Sequence, residues 1–198
     1  MKKLYLCQGQ PLSLIVLTGG LSRRMKRYKA LLPTPEGTLI EHLLRQLKDH
    51  FDDILISVSQ KEQFEFLPYT LVEDEVPGEG PMMGLKTTMP FSKHPKIFVT
   101  ACDIPYVRLS FLEKMIQTAE NWDIVVPCSP GGRLEPLFAV YSKSVLPVIQ
   151  NLLESGIRSL LPLLHHCRTR VIPIKEGSWF QNLNTKEDYE QFLKQIKE

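Results

Sequence analysis

The chain has 198 residues, 43% of them hydrophobic and 23% charged, which is the range of an ordinary globular protein. Lys and Arg number 24 against 22 Asp and Glu, so the formal charge of +2 excludes a large basic field that could hold a nucleic acid. No segment reaches the ~18 apolar residues of a membrane span. The apolar stretch at the start breaks at Gln8, and the four cysteines lie far apart, so we expect a cytoplasmic protein with reduced thiols.

Short apolar runs alternate with helical periodicity, which is the pattern of βαβ units. Strands are predicted at 12–18, 54–58, 70–72, 97–101, 124–127, 137–141 and 171–174. Helices are predicted at 39–47, 110–119, 145–153, 159–165 and 186–196. Capping-box patterns at Thr38 with Glu41 and at Ser110 with Glu113 open the first two helices. We predict one doubly wound α/β domain over 1–198 with a mostly parallel sheet, in which ligands bind beyond the carboxyl ends of the strands.

The first strand leads into a glycine pair, Gly19 and Gly20, and then into a run of cations. Glycines allow a sharp turn that brings backbone N–H groups against an anion. The cations that would supply opposite charge are Arg23, Arg24, Lys26, Arg27 and Lys29. The spacings of the P-loop and of the dinucleotide fingerprint are both absent. The pattern favours the phosphates of a nucleoside triphosphate over a solvated helix face.

Two carboxylates follow later strands. Asp103 comes directly after the apolar run 97–102 and before Pro105, where it suits Mg²⁺, although an Asp at a strand end is equally often a cap. Asp74 ends the third strand and precedes the loop 77–84, in which Gly80 and Gly84 would let the backbone approach a flat ligand. By itself such a loop is usually only a turn.

These segments resemble motifs of the molybdenum cofactor guanylyltransferase family. Leu17-Thr18-Gly19-Gly20 through Arg24-Met25 to Lys29 resembles Leu-Ala-Gly-Gly-x-Ser-x-Arg-Met-Gly-x-x-Lys, with Thr18, Lys26 and Tyr28 as departures. Residues 102–106 resemble the family's Cys-Asp-x-Pro-Tyr metal segment, and Asp74 with 80–84 resembles its Asp followed by Gly-Pro-x-x-Gly. Residues 135–141 and 181–185 resemble its Pro-Leu-x-Ala-x-Tyr and Asn-x-Asn-Thr stretches.

The resemblance implies a Rossmann-like fold of the nucleotide-diphospho-sugar transferase type and transfer of GMP from GTP to the phosphate of molybdenum-molybdopterin. It implies catalysis by Lys29, Arg24 and Asp103, with Asp103 holding Mg²⁺, or Mn²⁺ in its place. The nucleotide would be bound by Leu17, Thr18, Gly19, Gly20, Lys29, Ser57, Asp74, Gly80, Gly84 and Asp103, with Asn182 and Asn184 near the acceptor. Expected partners are GTP, molybdopterin and other molybdenum cofactor biosynthesis proteins, without nucleic acid or membrane.

Several alternatives stay open from the residues. The same reaction could use CTP, or a sugar or isoprenoid precursor as the acceptor, because a fold does not fix a function. A non-catalytic nucleotide-binding regulator is a further alternative, given the Lys26 and Tyr28 departures. The Asn-x-Asn-Thr run alone reads as a capping turn.

Overall fold

The computed structural model describes residues 11–19, 28–174 and 179–196. The strands are β1 Ser13–Leu17, β2 Pro33–Thr34, β3 Gly37–Thr38, β4 Asp53–Val58, β5 Thr70–Glu73, β6 Lys96–Ala101, β7 Ile124–Cys128, β8 Phe138–Ser142 and β9 Thr169–Pro173. The α-helices are α1 Leu39–Leu47, α2 Pro81–Thr88, α3 Leu109–Thr118, α4 Leu146–Glu154, α5 Leu161–His166 and α6 Lys186–Gln195. None of the helices in these ranges is both long and apolar enough to cross a bilayer.

Seven strands form one sheet in the order β5-β4-β1-β6-β8-β7-β9, and β2 pairs with β3 in a small antiparallel hairpin. Strand β8 is antiparallel to both of its neighbours, and the other pairings within the large sheet are parallel. The predicted mostly parallel sheet is therefore confirmed. Leu17 at the end of β1 pairs with Ser57 on one side and with Ala101 on the other, so the carboxyl ends of three strands meet at one edge.

Helices cover both faces of the sheet because alternate residues of each buried strand point to opposite sides. In β1, Leu14 and Val16 belong to an apolar cluster with α1 and α3, whereas Ile15 and Leu17 belong to a second cluster with α2, α4 and α5. A third, smaller cluster joins the start of α1 to α6 through Leu39, Leu183 and Phe192. It brings the segment before α6 to the carboxyl edge of the sheet.

One of the two predicted capping boxes is present in the structure. Thr38 with Glu41 caps α1 as predicted, and Thr185 with Asp188 forms a full capping box on α6. The prediction at Ser110 is wrong, because α3 begins at Leu109 and its N-cap residue is Arg108, without a side-chain cap. Leu109 packs against the core, and the N-cap lies two positions before the predicted Ser110.

Candidate active site

A cleft of about 320 Å³ lies beyond the carboxyl ends of β1, β4, β5 and β6. The first segment of the chain contributes Leu17, Thr18, Gly19 and Lys29 to its lining. Four more predicted residues come from β4, from the residue after β5 and from the start of α2, namely Ser57, Asp74, Gly80 and Gly84. Asp103, two residues after the end of β6, completes the set. The sheet topology thus gathers nine of the predicted site residues around one space.

Lys29 and Asp103 form the charged centre of the cleft. The ammonium nitrogen of Lys29 donates to Asp103 Oδ2 at 3.3 Å and to the carbonyl oxygen of Leu183 at 2.8 Å. The backbone N–H of Leu183 in turn donates to the carbonyl oxygen of Asp103 at 2.7 Å. The Lys29 and Asp103 side chains are 21% and 25% exposed, so both can still meet a ligand.

A second group of polar contacts forms the wall near β4. The backbone N–H and the hydroxyl of Thr18 both donate to the carbonyl oxygen of Ser57, at 3.2 and 2.9 Å. The Ser57 hydroxyl donates to Asp74 Oδ1 at 2.9 Å. Burial raises the pKa of the Asp74 carboxyl, opposed by the Ser57 hydrogen bond and reinforced by the charge of Glu73. The Asp74 carboxylate is therefore fixed in place and only partly compensated.

The glycines at the cleft have different physical roles. Gly19 has a φ of 70°, and a Cβ there would meet no atom within 4 Å, so its backbone borders open space. Gly80 has a φ of 83° and precedes Pro81, the first residue of α2. A Cβ on Gly84 would lie 2.7 Å from Ser57 Oγ and 3.2 Å from Leu17 Cδ2. Gly84 thus permits the close approach of α2 to β1 and β4, and its predicted contact with a ligand stays a prediction.

The two predicted asparagines do not line the cleft. Asn182 donates through Nδ2 to Glu135 Oε2 at 3.4 Å, and Asn184 is exposed, with its backbone N–H donating to Asp188 at the start of α6. Arg24 and Gly20 lie outside the described residues, so their predicted roles stay predictions. Sequence reasoning missed the Leu183 carbonyl, because a main-chain acceptor leaves no mark in the residue type.

Two departures from the family pattern fit the local structure. The hydroxyl of Thr18 is satisfied by Ser57, as described above. Tyr28 is 7% exposed, and its ring lies edge-on to that of Phe64 at 6.0 Å. Tyr28 thus packs into the core beside Lys29, where an acidic side chain would need a partner.

The carboxylate oxygens at the cleft suit Mg²⁺ as ligands. No group of three or more His, Cys, Asp or Glu side chains is arranged to hold a metal within the described ranges. Mg²⁺ keeps several waters and is usually held by one or two carboxylates together with substrate phosphates. The Asp103 carboxylate, partly exposed beside the cleft, meets that requirement.

A mostly parallel sheet with a lysine, a carboxylate and a glycine-bordered cleft at its carboxyl edge defines a nucleotidyltransferase, for which no side-chain nucleophile is needed. The chain belongs to the MobA-like NTP transferase domain family, whose model matches residues 14–169. The segment 179–196, which supplies Leu183, lies beyond that match.

Curated relatives match nearly the whole chain. A "Probable molybdenum cofactor guanylyltransferase" of Carboxydothermus hydrogenoformans is 30% identical over 192 residues, covering 93% of this chain and 96% of the relative. A protein of the same name from Bacillus thuringiensis is 34% identical, covering 92% and 96%.

Solved structures share the fold. Molybdopterin-guanine dinucleotide biosynthesis protein A from Archaeoglobus fulgidus superposes with a TM-score of 0.79 at 24% identity, covering 94% of this chain and 99% of that one. A Mycobacterium tuberculosis protein in complex with manganese gives a TM-score of 0.70 at 21% identity, covering 94% and 100%. These likenesses establish the nucleotide-diphospho-sugar transferase-like fold that the sequence predicts.

Proposed function

We propose that this protein transfers GMP from GTP to the phosphate of molybdenum-molybdopterin, which yields molybdopterin guanine dinucleotide and pyrophosphate. One observation carries the proposal: Lys29 and Asp103 meet 3.3 Å apart in the cleft at the carboxyl edge of the sheet. The names of relatives that cover more than nine tenths of the chain supply the substrates.

The reaction needs charge stabilisation rather than a covalent intermediate. An oxygen of the acceptor phosphate forms a bond to the α-phosphorus of GTP, and the bond from that phosphorus to the pyrophosphate oxygen breaks. Negative charge grows on the α-phosphate and on the departing pyrophosphate, and a positioned cation stabilises it. The Lys29 ammonium, held between Asp103 and the Leu183 carbonyl, is the cation assigned to this role. Arg24 is proposed as a second phosphate ligand.

Asp103 would hold the divalent cation of the reaction. Mg²⁺ bound there would neutralise charge on the phosphate oxygens, and Mn²⁺ could replace it, as the manganese complex of one structural neighbour suggests. A single carboxylate leaves most coordination positions to water and phosphate, which matches the preference of Mg²⁺.

Asp74 is the residue proposed to select guanine. Guanine presents N1–H and N2–H₂ as neighbouring donors, and an ionised carboxylate is an acceptor that can take both. The Ser57 hydrogen bond to Oδ1 orients this carboxylate, and its partial burial leaves it in need of further donors. Leu17, Thr18, Gly19 and Gly80 would contact the nucleotide through their main chain.

Calorimetric titration with GTP, ATP and CTP in the presence of Mg²⁺ tests the base assignment. We expect GTP to bind most tightly and Asp74→Ala to remove the preference for it. Tighter binding of CTP would move the protein to the cytidylyl branch of the same reaction, with the phosphate and metal roles of Lys29 and Asp103 retained.

A further inference from the structure

Each partner of the Lys29–Asp103 ion pair has a proposed ligand of its own. The Asp103 carboxylate would hold the divalent cation, and the Lys29 ammonium would bind phosphate. In the structure the two groups bind each other, with 3.3 Å between Lys29 Nζ and Asp103 Oδ2. The Asp103 carboxylate is thus an acceptor that the lysine and the metal ion both use.

The two hydrogen bonds of the Lys29 ammonium differ in length. The bond to the Leu183 carbonyl oxygen is 2.8 Å long, and the bond to Asp103 is 3.3 Å long. Charge-assisted bonds from an ammonium to a carboxylate are usually about 2.7–2.9 Å long, so the contact with Asp103 is the weaker of the two. Because the Leu183 carbonyl holds the ammonium, Lys29 stays in the cleft when its contact with Asp103 is lost.

Asp103 is also within electrostatic reach of the buried Glu135. Burial raises the pKa of the Glu135 carboxyl, and the negative charge of Asp103 adds to the increase. The guanidinium of Arg133, whose Nε lies 3.5 Å from Glu135 Oε1, opposes it. Without the Lys29 charge, Asp103 would be an unpaired carboxylate near a second one, and such a setting attracts a divalent cation.

A divalent cation and the Lys29 ammonium would repel each other at one carboxylate. The repulsion is stronger in a partly buried cleft than in bulk water, because the effective dielectric constant is lower there. Each cation therefore weakens the binding of the other. The phosphates of a nucleoside triphosphate relieve this competition, since their oxygens accept hydrogen bonds from an ammonium and also bind Mg²⁺.

We propose that Lys29 controls when the divalent cation binds: it neutralises Asp103 in the nucleotide-free protein and moves its hydrogen bond from Asp103 to a phosphate oxygen when the triphosphate binds. The inference rests on the proposed function, in which Asp103 is the metal ligand and Lys29 binds phosphate. The protein alone therefore binds the metal ion weakly. Metal ion and nucleotide each strengthen the binding of the other by the same factor.

Titration with Mn²⁺ in the absence of nucleotide, followed by electron paramagnetic resonance, measures this competition without any turnover. Lys29→Met removes the charge of the side chain, and we expect it to bind Mn²⁺ about tenfold or more tightly than wild type, a usual size for coupling between two ligands. Lys29→Arg keeps the charge and should keep the weak binding. An affinity of Lys29→Met at or below that of wild type would overturn the proposal, as would an equal gain in Lys29→Arg.

Lys96→Met is the matched control for the loss of one positive charge. Lys96 begins β6, the strand whose other end leads to Asp103, and its ammonium donates to the carbonyl oxygen of Trp122 at 2.6 Å. This variant should bind Mn²⁺ as weakly as wild type, and thermal unfolding by circular dichroism checks that every variant is folded. Equal gains in both methionine variants would show that only the net charge matters and would contradict the proposal.

The double variant Lys29→Met with Asp103→Asn shows where the ion binds. It should lose the gain of Lys29→Met, and a gain that persists would overturn the proposal because the ion would then bind elsewhere. The titration also separates this proposal from the proposed function. A wild-type protein that releases no pyrophosphate from GTP and the acceptor would refute the proposed function, and the nucleotide-free titration would still decide whether Lys29 competes with the metal ion.

Discussion

The ammonium nitrogen of Lys29 lies 3.3 Å from Asp103 Oδ2, although the two residues are 74 positions apart in the chain. Because both side chains are partly exposed, this ion pair contributes little to the stability of the fold. Its main effect is to hold one positive and one negative charge next to each other in the cleft. Asp103 reaches the cleft from the end of β6, and Lys29 reaches it from the 3₁₀ turn Lys29–Leu31 that precedes the β2–β3 hairpin. The Leu183 carbonyl, which accepts from the same ammonium, adds the segment before α6 to this centre.

Replacement of the Lys29 side chain tests the assigned charge stabilisation. We expect Lys29→Ala to lower turnover by about two orders of magnitude or more, the scale seen when one preorganised donor is removed. Steady-state pyrophosphate release measures this effect, and circular dichroism checks the fold. Lys26→Ala and Arg27→Ala serve as controls from the same cationic run, and we expect far smaller losses there. Equal losses in all three variants would indicate diffuse electrostatics instead of a defined role for Lys29.

The metal role of Asp103 has its own test. Asp103→Asn removes the charged ligand while keeping the size of the side chain, so Mg²⁺-dependent turnover should be abolished in a folded protein. Titration with Mn²⁺, followed by electron paramagnetic resonance in the presence of GTP, should show weakened metal binding in the same variant. A folded Asp103→Asn protein with near-wild-type pyrophosphate release would end the metal assignment.

The strands of the large sheet could be predicted from the sequence because most of them are short, continuous runs of apolar residues. Buried strands such as β1 and β6 are continuous apolar runs, and the glycine or aspartate after each run marks where the strand ends. The residues beyond those ends were therefore identified as neighbours before any contact was known. The short β2–β3 hairpin was missed, because strands of two residues carry no periodicity.

Contacts made by main-chain atoms or between distant loops could not be predicted from residue type. Nothing in the Leu183 side chain indicates that its carbonyl oxygen accepts a hydrogen bond from Lys29. Glu135 lies in the stretch 135–141 that resembles a family motif, but the sequence does not predict its contact with Asn182. The packing role of Gly84 is of the same kind, since only the position of the helix shows how closely α2 approaches Ser57.

The packing role of Gly84 leads to a stability prediction. In Gly84→Ala, the new methyl group would lie 2.7 Å from Ser57 Oγ, so the serine or the helix must move. We expect a loss of about 1–3 kcal/mol in the free energy of unfolding, as for other overpacked sites, measured by urea denaturation. Gly131→Ala is the control, because a Cβ there would meet no atom within 4 Å. Equal stability of the two variants would contradict the close packing of α2.

Replacement of Asp74 should have opposite effects on the stability of the protein and on its binding of GTP. Burial raises the pKa of its carboxyl in the folded state. A protonated Asp74 is therefore easier to bury than an ionised one. The contribution of Asp74 to the free energy of unfolding is most favourable at a pH below its unfolded-state pKa, and this contribution is lost as the pH rises through the folded-state pKa. Ionised Asp74 thus costs stability at neutral pH, and Asp74→Asn should raise the Tm of the nucleotide-free protein while weakening GTP binding by about tenfold or more, as expected when a charged acceptor is lost.

The pH dependence of GTP affinity provides an independent check on Asp74. Because its carboxyl protonates more readily than an ordinary aspartate, the wild-type affinity should fall as the pH is lowered toward that raised pKa. The affinity of Asp74→Asn should change less over the same range. Calorimetry in buffers of different pH measures both curves, and parallel curves for the two proteins would show that Asp74 does not bind the base.

The central claim is guanylyl transfer to molybdenum-molybdopterin, and the most direct measurement is pyrophosphate release from GTP, ATP and CTP with and without that acceptor. With Mg²⁺ present, we predict rapid release from GTP that depends on the acceptor, and much slower release from ATP and CTP. Faster release from CTP, or no acceptor-dependent release from any nucleotide by the folded protein, would contradict it.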